Sequence, residues 1–181
     1  MLKLLIDSQT NLTYISSMIY LGIDPGLDGG LSSVGNVTST NGIPCIVRDK
    51  GKGSKREYNL AAMRELLKDY LRVGLPLFCL IENVHAMPAQ GVTSMFSMGF
   101  GLGAWHGLLT ALEIPFETVT PQRWKKAMLD GTGKDKEASR LRALSLFPVF
   151  SDKLKLKKDE GKAEALLIAE YARRHYNGDN R

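Results

Sequence analysis

Three carboxylates sit where their surroundings favour apolar side chains. Asp24 closes the run Ile19-Tyr20-Leu21-Gly22-Ile23, and Glu82 closes the run Leu77-Phe78-Cys79-Leu80-Ile81. An aspartate before Pro25-Gly26 has an alternative role as a turn cap. Glutamate has no comparable role in turns, so Glu82 is the more informative of the two. The third acid lies in a C-terminal helical stretch. At ~100° per residue, Glu160, Glu164, Leu167, Ile168 and Tyr171 share one stripe, while Lys162, Ala169, Arg173 and Glu170 fall on the other side. Glu160 and Glu164 are one turn apart, which puts both carboxylates on one face. A first-turn position favoured by the helix dipole accounts for Glu160 equally well, but accounts poorly for Glu164.

Acids brought inward from three segments repel one another unless a cation neutralises them. Hard oxygen donors suit Mg²⁺, with Mn²⁺ as a substitute. Two such ions can align the attacking water and the leaving oxygen of a phosphodiester. The expected chemistry is therefore phosphoryl hydrolysis at a site with Asp24, Glu82 and Glu164 as ligands. For a fourth acid the candidates are Asp159 and Glu160. On an ideal helix Glu160 lies ~40° from Glu164 and Asp159 ~140° away, so the projection selects Glu160. Asp159 would then cap the helix or contact Lys157 and Lys158. If the helix begins after Glu160, where Gly161 is a poor helix former, Asp159 swings inward instead.

The elements that must position these acids follow from periodicity. Strands are expected at Ile19 to Ile23, Leu31 to Val37 and Ile43 to Val47, forming a meander after the turn 24–30. Residues 49–56 read as a basic, glycine-rich loop. A helix follows from about Leu60 to Val73, then a buried strand from Leu77 to Ile81. Helices are expected at Gly101 to Leu112, from Pro121, at Lys136 to Leu146 and at Ala163 to His175, with a strand at Pro115 to Val119. Proline suits the first helical position at Pro121. This order predicts an α/β fold with a mixed sheet flanked by helices. The expected organisation is an extension over 1–17, one nuclease domain over 18–176 and a tail over 177–181.

Composition sets looser bounds. The 181 residues suit one core. With 24 Lys and Arg against 19 Asp and Glu, the net charge is +5, which permits a polyanionic partner without demanding one. Cys45 and Cys79 form no CxxC pair, so a structural zinc site is not expected, and Cys79 reads as a buried thiol. No apolar run reaches membrane-span length, and Leu4-Leu5-Ile6 is too short for a signal peptide. A soluble, cytoplasmic protein is the expectation.

Four ordered motifs carry a family resemblance: Gly22-Ile23-Asp24-Pro25-Gly26, Ile81-Glu82-Asn83-Val84, Pro121-Gln122-Arg123-Trp124-Lys125, and the stretch from Lys157 through Glu160 and Glu164 to Ala169. Together they resemble the RuvC-type Holliday-junction resolvases, especially the phage and chloroplast branches, over about Ile19 to Tyr171. The resemblance implies an RNase H-like fold, a homodimer and Mg²⁺-dependent paired nicking of four-way junctions. It places the family's acids on Asp24, Glu82 and Glu164, with Asp24 bridging two ions. For the remaining acid, bacterial members have an Asp or His at the position of Gly161, and chloroplast-like members a His at that of Glu160. It also implies that Lys125 faces the scissile phosphate and that Lys136 is used.

Further DNA contacts are expected from Trp124, from the basic residues Lys52, Lys55 and Arg56, and from His85, Met87, Gln90 and Phe96 in the segment Asn83 to Phe100. Apolar side chains there would wedge against unstacked bases. Phe100 reads better as a core or dimer residue, Lys126 as a surface lysine, and Gly99, Gly101 and Gly103 as sites of close helix packing. Alternatives are a nuclease for flaps or forks and a non-catalytic junction-binding protein. An actin-like kinase needs two RNase H-like halves, and the length supplies one.

Overall fold

The computed structural model describes residues 4–5, 13–14, 18–49, 51, 53–85, 90–131 and 137–176. In chain order the strands and helices are β1 (Leu4–Leu5), β2 (Thr13–Tyr14), β3 (Ile19–Asp24), β4 (Gly30–Gly35), β5 (Ser39–Gly42), β6 (Cys45–Asp49), β7 (Ser54–Tyr58), α1 (Leu60–Arg72), β8 (Leu77–Glu82), α2 (Val92–Ala111), β9 (Phe116–Val119), α3 (Pro121–Met128), α4 (Ala138–Leu146) and α5 (Glu160–His175). Strands β5-β4-β3-β8-β9 form one mixed sheet. The pairs β5-β4 and β4-β3 are antiparallel, whereas β3-β8 and β8-β9 are parallel.

Strands β3 and β8 are apolar throughout because both faces of the sheet are covered. Alternate side chains feed two cores. Tyr20, Phe78 and Leu80 point to the side of α3, α4 and α5, where they meet Trp124, Ala143, Leu167 and Tyr171. Ile19, Leu21, Ile23, Cys79 and Ile81 point to the side of α1 and α2, where they meet Met63, Leu67, Trp105 and Leu109. Cys79 is a fully buried thiol whose pKa burial pushes up, in line with an inert core residue. No helix among the described residues is long and apolar enough to cross a membrane.

Helix α5 lies against β3 at backbone distance. A Cβ on Gly22 would stand 2.2 Å from the Ala165 carbonyl oxygen and 2.3 Å from the Ala169 nitrogen. One on Gly161 would stand 2.1 Å from the Asp28 carbonyl oxygen. Gly161 therefore serves close packing of the first turn of α5 on the turn after β3, and the helix begins at Glu160 rather than at Ala163. We expect Gly22→Ala to cost at least ~1–3 kcal/mol, the usual range for overpacking, because backbone rather than a flexible side chain is in the way. A melting temperature within a degree of the wild type would contradict this close approach.

Several sequence expectations are corrected. The third strand of the meander is Ser39–Gly42, and Cys45–Asp49 instead pairs with Ser54–Tyr58 in a separate hairpin. Lys55 and Arg56 thus belong to the second strand of that hairpin, whereas Lys50 and Lys52 lie outside the described residues. Helix α2 starts at Val92, so Met95, Phe96 and Phe100 are helical. Its start escapes periodicity because Val92, Thr93 and Ser94 are weak helix formers. Of its glycines only Gly101 is tightly packed, against Tyr58 and the Pro25 carbonyl, whereas Gly99 and Gly103 face open space. Helix α5 is buried on both sides, not on one stripe, because the sheet covers one face and α3 and α4 the other. Glu170 is accordingly buried, its charge balanced by Arg173 at 2.7 Å and Arg174 at 2.8 Å.

Candidate active site

The parallel pairing of β3 with β8 sets Ile23 opposite Ile81, so the next residues, Asp24 and Glu82, leave the sheet side by side. Ligands in open α/β sheets gather beyond such carboxyl ends. The close crossing of α5 over Gly22 brings Glu164 to the same end of the sheet. Glu82 and Glu164 are buried and Asp24 is half-buried. Asp24 forms the floor of an open cleft of about 530 Å³ together with Glu164, and Lys157, Lys158 and Glu160 stand around it.

The carboxylates act on one another. Burial, then the charges of Glu82 and Glu164, push the Asp24 carboxyl up to about 7, although the Gly26 N–H and Lys125 oppose the shift. That N–H donates to Asp24 Oδ1 at 3.2 Å. Glu82 is raised as well, by burial first and with a contribution from Glu164, against the Trp124 hydrogen bond and Lys125.

Helix α3 supplies the balancing groups. Pro121 occupies its first turn, and Trp124 and Met128, one turn apart, are buried. The Trp124 indole Nε1 donates to Glu82 Oε1 at 2.9 Å. Lys125 follows on the next position, at the edge of the site, with Nζ 2.7 Å from Glu164 Oε1 and 5.1 Å from the Trp124 ring centroid. Burial pulls its pKa down, but the three carboxylates outweigh this and hold it above the ordinary lysine value. Ser139, in the first turn of α4, donates its hydroxyl to the same Glu164 Oε1 at 2.9 Å.

The two candidates for a fourth acid are placed differently. Glu160 lines the cleft with Asp24 and Glu164. Asp159 is buried in the 3-10 turn Lys157–Asp159, where Oδ2 accepts from the Leu156 N–H at 2.8 Å and Oδ1 pairs with Lys162 at 2.7 Å. Burial opposes its ionisation, yet these contacts hold its carboxyl below the usual range. Its ion-pair partner is Lys162 rather than Lys157 or Lys158, because the 3-10 turn leaves those two lysines exposed.

Among the described residues no three His, Cys, Asp or Glu side chains are drawn into a ready cation shell. The donor chemistry nevertheless fits a hard divalent ion. The cluster is all oxygen, burial and then mutual repulsion raise the carboxyls of Asp24 and Glu82, and Lys125 opposes both shifts.

The expected DNA contacts divide. Trp124 is a correction: it is fully buried, so it fills the core and holds Glu82 instead of meeting DNA. Lys55 and Arg56 are exposed on β7, with Arg56 paired to Asp28 at 2.6 Å. They rim a groove of about 580 Å³ between β7 and α2, floored by Leu27, Tyr58, Phe96 and Phe100. Phe96 is 75% exposed, and Phe100 packs against Tyr58 at 5.8 Å between ring centroids. His85 is exposed, and Gln90 Nε2 donates to Ser94 Oγ at 3.3 Å. Lys52, Met87 and Lys136 lie outside the described residues. Sequence reasoning missed Ser139 and Tyr58. Both are ordinary residues on short elements, and nothing local announces their partners.

No family model matches the chain. The chloroplastic Holliday junction resolvase of Chlamydomonas reinhardtii is 31% identical over 127 residues, 65% of this chain. The chain spans 14% of the length of that relative. A solved structure of Thermus thermophilus RuvC in complex with a Holliday junction substrate superimposes with a TM-score of 0.50 at 17% identity, covering 87% of this chain and 96% of that one. A second Thermus thermophilus RuvC structure gives 0.51 at 20% identity, with the same coverage. The resemblance to RuvC-type resolvases is thus borne out, with a chloroplastic resolvase in sequence and with two Thermus thermophilus RuvC structures in fold. The RNase H-like mixed sheet flanked by helices is the fold expected from the sequence.

Proposed function

We propose that this protein is a divalent-cation-dependent endonuclease that resolves four-way DNA junctions. The observation that carries this reading is the convergence of Asp24, Glu82 and Glu164 from three elements at the ends of the central parallel strands, with Lys125 beside them. Asp24, Glu82, Glu164 and Glu160 would hold the cations, Mg²⁺ or in its place Mn²⁺. When bound, they would supply Lewis-acid stabilisation of the phosphate and of the departing oxygen. Lys125 adds a fixed positive charge where negative charge develops. Lys157 and Lys158, which line the cleft, would contact the flanking phosphates of the strand. Water attacks phosphorus and the P–O3′ bond breaks, leaving a 5′-phosphate and a 3′-hydroxyl. The groove lined by Phe96, rimmed by Lys55 and Arg56, adjoins this cleft through Leu27 and suits an unstacked base beside the crossover.

A junction needs two symmetric cuts, and the described residues of one chain bring together one such cluster. An isologous homodimer matches that symmetry. The test is incubation with a labelled immobile four-way junction, a flap and a linear duplex, with and without Mg²⁺. Paired nicks across the junction, only with the cation, are the expected result, with a dimer in sedimentation. Preferential cutting of the flap would replace junction resolution by a flap nuclease. Undiminished nicking in chelator would remove the cation from the reading.

A further inference from the structure

Two of the acids are held by neutral donors from the helices behind them. The bonds from Trp124 and Ser139 both engage Oε1, of Glu82 and Glu164 respectively, and both are buried. Trp124 is fully buried and Ser139 is 5% exposed, so neither donor reaches the cleft or a substrate. A free glutamate has three rotatable bonds, and fixing such a side chain costs up to ~2 kcal/mol of entropy. Mutual repulsion would moreover drive the carboxylates apart. An indole N–H and a hydroxyl can fix a carboxylate without neutralising it, unlike a lysine or arginine. These bonds engage Oε1 of each glutamate, so a cation would be met through Oε2.

Resting on the reading of the cleft as a cation-dependent nuclease site, we infer that Trp124 and Ser139 are positioning residues that set the rotamers of Glu82 and Glu164 for cation binding. They lie on different helices, so the geometry of the acids depends on how α3 and α4 dock against α5. Lys125 shares Glu164 Oε1 with Ser139. Loss of the Ser139 hydroxyl therefore leaves Glu164 tied to the lysine alone, which draws it away from an incoming cation.

Outer partners of this kind typically control metal affinity by 10–100-fold. The test is calorimetric titration of the DNA-free protein with Mn²⁺, beside its melting temperature. Ser139→Ala and Trp124→Phe are expected to weaken Mn²⁺ binding by roughly 10–100-fold each. Cleavage at saturating Mn²⁺ should recover most of the wild-type rate. The control is Ala143→Gly, a buried change one turn along α4 from Ser139 that removes no hydrogen bond to either acid. It should lower the melting temperature yet keep wild-type affinity. Unchanged affinity in Ser139→Ala, or an equal loss in Ala143→Gly, overturns the positioning role and leaves the proposed function standing. A wild-type protein that binds no Mn²⁺ overturns both.

Discussion

Asp24→Asn is expected to abolish junction cleavage, by ~10³-fold or more, while junction binding survives. The substitution keeps size and shape and removes the charge from the residue that both neighbouring acids press upon. Cation stabilisation of a phosphoryl transition state is worth several kcal/mol, and each 1.36 kcal/mol is tenfold in rate. Binding should persist because phosphate contacts, not the buried acids, dominate affinity for DNA. The same change relieves repulsion, so the cation-free variant should melt at or above the wild-type temperature. Cleavage and gel-shift titrations on one labelled junction check both points. Nicking undiminished at saturating Mg²⁺ would sink the role of Asp24. Glu160→Gln should also reduce cleavage, whereas Asp159→Asn should chiefly cost stability through its lost ties to Leu156 and Lys162.

The second large effect is on stability against pH. Folding raises the Asp24 carboxyl from 3.8 to about 7, so between those values the folded protein keeps a proton that the unfolded chain has released. Stability of the cation-free protein is then fully present below about 3.8 and is lost as pH rises through about 7. The shift sets a ceiling of about 4 kcal/mol, which water reaching the cleft reduces. Glu82, also raised, acts in the same direction. Asp159 and Glu170 are lowered, so their contributions are lost only in more acidic solution and do not offset the fall. Cation-free protein should therefore melt lower at pH 8 than at pH 5. Mg²⁺ should restore more stability at pH 8, since a cation at 100-fold its dissociation constant adds about 2.7 kcal/mol. Asp24→Asn should flatten both trends. Scanning calorimetry at the two pH values, with and without Mg²⁺, measures this, and a wild-type profile no steeper than that of Asp24→Asn would contradict it.

Some of this molecule was legible without coordinates because local chemistry encodes it. Strands β3 and β8 announce themselves as short apolar runs, since a strand covered on both faces carries no polar alternation. An acid at the end of each run is costly to bury, and that cost marks Asp24 and Glu82 as functional candidates before any fold is known. The i,i+4 spacing likewise puts Glu160 and Glu164 on one helical face. Tertiary packing decided the rest. The orientation of α5 depends on a backbone contact at Gly22, and glycine in a strand does not say what approaches it. In the sequence Trp124 stands beside Lys125 and Lys126, and that neighbourhood reads as a DNA contact. Only the docking of α3 on the sheet turns it inward onto Glu82, 42 residues away in the chain. Ser139, Lys125 and Glu164 meet through three helices in the same way. Sequence periodicity specifies which residues are inward or charged within one element. Which of them share an oxygen atom is set by long-range packing, and no local pattern carries that information.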